Sequence, residues 1–81
     1  MSEAGRLYWK CRRGSLELDL ILLNFYEKSF PTLSTEDQDI FEQLLDEQDP
    51  VLSSWLYGDQ LPASPDFQRI VSVIKSHGVK F

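Results

Sequence analysis

Apolar residues recur in this chain at the spacing of a single helix face, four times over: Leu7, Tyr8, Cys11; Ile40, Phe41, Leu44, Leu45; Val51, Leu52, Trp55, Leu56; and Phe67, Ile70, Val71, Ile74. Such i, i+3, i+4, i+7 patterns bury one side of an α-helix and leave the other to water. The stretches between them are punctuated as helix ends are. Ser34 stands three residues before Asp37 as a shortened capping box. Asp49-Pro50 sets a proline at the first helical position behind a capping acid, and Ser64-Pro65 repeats the device. Gly58 and Gly78 stand where helices should stop.

The segment from Leu16 to about Phe30 is less simple, because Ser15 to Leu20 alternates polar and apolar as an edge strand would. No second strand-like run exists to pair with it, and a lone strand would leave its backbone groups unpaired, so its length decides for helix. At 100° per residue, Glu17, Asn24 and Lys28 form one narrow polar stripe and nearly all else is apolar. This segment is therefore expected to be a central, mostly buried helix with four shorter helices packed around it. The fold class is all-α, a small five-helix bundle.

With 81 residues the chain is read as a single helical domain over 1–81, ordered over about 6–76 with frayed termini. A domain of this size buries only about 60 to 65% of the surface of its unfolded chain. A hydrophobic fraction of 42% nonetheless supplies a core and excludes a disordered chain. The net charge of −5 argues against a general nucleic-acid binder, which needs a broad basic face. Cys11 is the one cysteine, which rules out an internal disulfide and suits a reducing compartment. The first residues resemble neither a signal peptide nor a transit segment, and the longest apolar run, Leu20 to Leu23, falls far short of a membrane span. A cytoplasmic protein without direct membrane insertion is predicted.

Charge is unevenly spread. Four of the eight basic residues, Arg6, Lys10, Arg12 and Arg13, lie in the first thirteen positions, and seven of the thirteen acidic ones lie between Glu36 and Asp49, which predicts an electrically lopsided molecule. Opposite charges meet around a glycine in Arg12-Arg13-Gly14-Ser15-Leu16-Glu17-Leu18-Asp19. Much of this stretch has a local structural use. Lys10, Arg12 and Arg13 suit the negative end of a helix, Gly14 a left-handed C′ position, Ser15 an N-cap and Glu17 the first turn of the next helix.

Two residues stand apart from that account. Asp19 falls on the apolar side of the second helix, between Leu23 and Tyr26, where a carboxylate needs a partner; Arg12 is the nearest candidate. Trp9 points about 200° away from Leu7, beside Arg6 and Arg13. It suits either an interface anchor or packing on a neighbouring helix under Arg13 as an i, i+4 cation–π pair. Trp55, within a helical set, is assigned to the core.

Catalytic readings have little to stand on. The one histidine, His77, is near the end of the chain, no His/Cys/Asp spacing typical of a metal site is present, and neither a phosphate loop nor a dinucleotide fingerprint occurs. Glu36 with Asp37, and Asp46 with Glu47, read as solvated helix faces. A binder rather than an enzyme is predicted, with no cofactor and no metal held by the chain.

The motif and its surroundings resemble the SdhE (YgfY-like) family, the small flavinylation and assembly factors of succinate dehydrogenase. Arg13-Gly14 with Glu17 matches the family's Arg-Gly-x-x-Glu signature, preceded by Trp9-x-Cys11-Arg12-Arg13. Phe41, Leu44 and Leu45, then Asp49, Pro50, Leu52, Trp55 and Leu56, match its second block, so the resemblance runs from about Arg6 to Ile74. Ser15 departs from the methionine frequent after the glycine. The resemblance implies a five-helix bundle that binds the flavoprotein subunit of succinate dehydrogenase or the similar fumarate reductase and promotes covalent attachment of FAD there. Carried over by position, the expected partner-binding residues are Arg13, Gly14 and Glu17, with Arg6, Trp9 and Asp19 at the rim. Gly14 would let two helices approach so that Arg13 and Glu17 project together, from a chain acting as a monomer. Some family members are also described as antitoxins, which makes a regulator of a membrane-associated toxin the alternative. A nucleic-acid binder or a flavin carrier would instead show salt-dependent DNA or RNA binding, or visible absorbance.

Overall fold

A computed structural model describes residues 3–77 of the chain. Five α-helices and one 3₁₀ turn account for most of it: α1 (Glu3–Cys11), α2 (Leu16–Lys28), the turn (Phe30–Thr32), α3 (Thr35–Leu44), α4 (Asp49–Leu56) and α5 (Pro65–His77). The all-α bundle expected from the spacing is the fold, and the described residues contain no strand. Gly78 and the outermost residues expected to fray lie outside the described residues.

Each helix buries the face its periodicity marks. Leu7 and Cys11 of α1, Ile40, Phe41 and Leu44 of α3, Leu52 and Leu56 of α4, and Ile70, Val71 and Ile74 of α5 converge on Leu18, Ile21, Leu22 and Phe25 of α2. The Phe41 ring lies between those of Phe25 and Phe30, tilted to both, with centroids 5.2 Å and 5.6 Å away. Trp55 is half-buried, its ring 6.0 Å from that of Phe67.

Helix ends follow side-chain chemistry, with three revisions. Ser34 Oγ accepts the Asp37 N–H at 3.2 Å and Ser64 Oγ accepts that of Phe67 at 3.4 Å, as the capping patterns require. Ser15 occupies the flanking position of α2 but makes no side-chain cap bond. Asp49 is not the cap of α4 either: the helix begins at Asp49, Gln48 flanks it, and the Asp49 carboxylate is drawn away to Arg13. Helix α2 also stops earlier than its apolar run suggested. Pro31 offers no N–H to continue the ladder, and the chain tightens into the 3₁₀ turn, where Thr32 donates its N–H and its hydroxyl to the Ser29 carbonyl.

Helix α2 is central, packing against α1, the 3₁₀ turn, α4 and α5, but it is neither mostly buried nor ringed by four shorter helices. Helix α5 is equally long, at 13 residues. Short helices do not enclose α2 on every side. Leu16 is 74% exposed and Leu20 41% exposed, on the side opposite the core row.

Charge is also better balanced than its distribution along the chain implied. The basic α1 lies alongside the acidic α3–α4 stretch. Arg6 makes a two-pronged pair with Glu42 at 2.8 and 3.1 Å, Lys10 meets Asp46 at 3.1 Å, and Arg13 meets Asp49 at 2.8 Å. Each cation finds an acid thirty-six residues further on, so the two blocks largely neutralise one another. Arg69 likewise joins Asp37 and Asp66.

Candidate functional site

The α1–α2 junction is built around Arg13. Helix α1 ends at Cys11, α3 unwinds through i→i+3 turns at Leu45 to Glu47, and both ends leave carbonyl oxygens without helical donors. The Arg13 guanidinium collects them. Its Nη1 donates to the carbonyls of Lys10 at 3.0 Å and Leu45 at 2.7 Å, its Nη2 donates to that of Glu47, and its Nε donates to Asp49 Oδ1 at 2.8 Å. One rigid fork thus closes the C-terminal ends of two helices, where a cation also faces the negative ends of their dipoles.

Asp19 completes the lock from the first turn of α2. Its Oδ1 accepts the Arg13 backbone N–H and its Oδ2 lies 3.5 Å from Arg12 Nε, so the partner that a carboxylate in that position required is Arg12 together with the Arg13 backbone. Gly14, with φ +83°, supplies the left-handed turn between the two helices. A Cβ built on it would meet nothing within 4 Å, so its conformation, not a close approach of helices, explains the glycine.

The expected joint projection of Arg13 and Glu17 does not hold. The Arg13 side chain is only 15% exposed and its donors are engaged within the chain, whereas Glu17 is exposed. No cation among the described residues pairs with the Glu17 carboxylate. The Glu17 backbone carbonyl accepts the Tyr57 hydroxyl at 2.8 Å, fastening the start of α2 to the end of α4. Burial, and then the Glu17 charge, hold the Tyr57 hydroxyl above the usual phenol range.

Trp9 is 59% exposed rather than packed on a neighbouring helix, with the Tyr8 ring edge-on at 5.8 Å. The cation over it is Arg12 at 5.9 Å, not Arg13, because Arg13 turns inward beyond the helix end. Arg6, the remaining rim residue, is held in the ladder to Glu42. Cys11, fully buried beneath the junction, has its thiol pushed up to about 12 by burial, which leaves it protonated and inert.

Two surface features were not foreseen. Leu16, Leu20 and Leu23 line an open groove of about 420 Å³ along α2, shared with Arg12, Asp19, Asn24 and Glu27. Tyr57, which meets the Glu17 carbonyl, and Leu61 also expose apolar surface. The helical wheel held the signal for the first: the three leucines stand opposite Leu18, Ile21, Leu22 and Phe25, so one helix carries two apolar rows. Among the described residues no cluster of His, Cys, Asp or Glu is arranged to hold a metal, and no helix is long and apolar enough to cross a membrane.

The sequence profile of the family described as flavinator of succinate dehydrogenase, Sdh5, matches residues 5–78. The chain belongs to this family. Curated relatives agree along most of their length. The FAD assembly factor SdhE of Coxiella burnetii is 47% identical over 70 residues, covering 86% of this chain and 85% of that protein. The FAD assembly factor SdhE of Colwellia psychrerythraea is 42% identical, covering 86% and 77%, and that of Vibrio cholerae is 35% identical, covering 95% and 90%. The SdhE resemblance carried by the Arg-Gly-x-x-Glu signature and the second block is thereby established.

Proposed function

We propose that this chain is an assembly factor that binds the flavoprotein subunit of succinate dehydrogenase, and of the similar fumarate reductase, and promotes covalent attachment of FAD to it. Family membership supports the client. The observation that carries the site is the exposed Glu17 carboxylate, free of any cation among the described residues, on a turn fixed by Asp19, Arg13 and Tyr57. The backbone that carries this charge is fixed in advance, so docking has only the Glu17 side chain to order. In this reading Glu17 and Trp9 touch the partner, while Arg13, Gly14 and Asp19 set the shape that presents them.

The chain contributes no bond-forming group. It acts as a monomer that holds neither FAD nor metal, and docking favours the flavoprotein conformation in which flavin and acceptor side chain are aligned. The reducing cytoplasm suits its lone, buried thiol. Capture of the flavoprotein by wild type and by Glu17→Ala, with thermal unfolding of both, tests the proposal. Wild type should recover the flavoprotein and Glu17→Ala should lose it with its melting temperature unchanged. Equal recovery by both, or a large loss of stability in Glu17→Ala, overturns the assignment of Glu17 to docking.

A further inference from the structure

Glu17 is one residue at the end of a longer exposed face. Leu16, Leu20 and Leu23 follow the i, i+4, i+7 spacing of a buried helix row, yet Leu16 is 74% and Leu20 41% exposed, and Leu23 is only partly buried against the core. Together they floor the 420 Å³ groove on α2. A row of this spacing forms ridges into which those of a second helix fit.

Charge identifies the occupant. At the near end of the groove, Arg12 is matched by Asp19 at 3.5 Å and lies over the Trp9 ring. At the far end, Glu27 is exposed and no cation among the described residues pairs with it. Among the residues that line the groove, the one open charge is therefore Glu27, and it is negative. A second copy of this chain would bring its own net charge of −5, and the one cation lining its groove, Arg12, is already paired with Asp19.

We infer that the outer groove of α2 receives an amphipathic helical segment of the flavoprotein client, apolar toward Leu16, Leu20 and Leu23 and carrying a lysine or arginine that meets Glu27. This rests on the client proposed above and extends the contact nearly three turns beyond Glu17, to Glu27. The leucines supply the buried centre of the contact, and Glu27 at the rim selects charge and speeds encounter.

The test is affinity of the purified flavoprotein subunit for the full chain, measured by calorimetry at two salt concentrations. Leu20→Gln and Leu16→Gln keep helix propensity and add no charge. Each is expected to weaken binding about ten-fold, and Glu27→Lys about three- to ten-fold with a flatter salt dependence. Circular dichroism checks that each variant folds, and Leu16→Gln, at the more exposed position, decides the matter if Leu20→Gln does not fold. Unchanged affinity in the leucine variants, with binding lost in Glu17→Ala, overturns the groove and leaves the client standing. Failure of wild type to bind the flavoprotein at all defeats both readings. Sedimentation of the chain alone supplies the last arm: self-association abolished by the leucine variants assigns the groove to a second copy and overturns the proposal.

Discussion

Arg12 and Arg13 are adjacent and carry the same charge, yet they belong to different parts of the molecule. The Arg13 side chain is 15% exposed and ties the ends of α1 and α3 to the start of α4; that of Arg12 is 46% exposed and lies between Trp9 and Asp19 at the surface. The next acids divide in the same way, since Asp19 turns in to the Arg13 backbone and Glu17 turns out. A short charged motif thus interleaves a scaffold with a surface. The scaffold half fixes the backbone from which the surface half projects, so the halves should respond differently to substitution.

The strongest way to break this division is Arg13→Ala. Removing the guanidinium leaves the carbonyls of Lys10, Leu45 and Glu47 and the Asp49 carboxylate without their donor. A loss of about 3 kcal/mol is expected, read by urea unfolding, with a fall in melting temperature of roughly 15 °C for a domain of this size. Arg13→Lys keeps the charge but not the fork and should restore less than half of the loss. Arg12→Ala should stay within about 0.5 kcal/mol of wild type. Equal losses at the two arginines would erase the distinction.

Gly14 sharpens the contrast through the backbone alone. Its φ of +83° costs an L-residue about 1–2 kcal/mol, and because a Cβ meets nothing within 4 Å, Gly14→Ala should show that strain and no clash. Gly14→Asn should recover part of it. At Gly58 the problem is space: a Cβ there would lie 2.8 Å from the Ser54 carbonyl oxygen. Asparagine should therefore help at Gly14 and fail at Gly58, as paired thermal melts of the four variants would show.

The buried side of the junction also answers to alkali. Cys11, with its thiol raised to about 12, titrates near 9 when unfolded. A folded pKa above the unfolded one means that the stabilisation is complete below pH 9 and declines as pH rises toward 12. About 1 kcal/mol should be lost by roughly pH 10 in wild type and not in Cys11→Ala, compared by urea unfolding. Native Cys11 should react with a thiol reagent only as fast as the chain opens.

The helices were legible because each element's own spacing and caps specify it: Ile40 to Leu45, Val51 to Leu56 and Phe67 to Ile74 bury the faces their periodicity marks. The family was legible because three blocks occur in order. The arrangement of the site was less so. Whether Arg13 turns in or out depends on carbonyls more than thirty residues away, which no local pattern contains. The outer row of α2 was on the wheel, but only the number and length of the surrounding helices decide that it stays uncovered.

The ladder between α1 and α3 should give the smallest effect, because its members are partly exposed: the Arg6 and Glu42 side chains are 45% and 30% accessible. A double-mutant cycle on this pair is expected to give about 0.5 kcal/mol or less, vanishing in high salt. Its sign with pH follows from the hydrogen bond of Arg6, which holds the Glu42 carboxyl below its ordinary value of 4.5. A depressed folded pKa places the stabilisation above the unfolded value and removes it as pH falls through the folded one. Urea midpoints for wild type and Glu42→Gln should therefore differ at neutral pH and converge in acid. Divergence in acid would mean that the ladder is not what joins the basic helix to the acidic ones, and that Leu7, Cys11 and the Arg13 fork hold α1 in place without it.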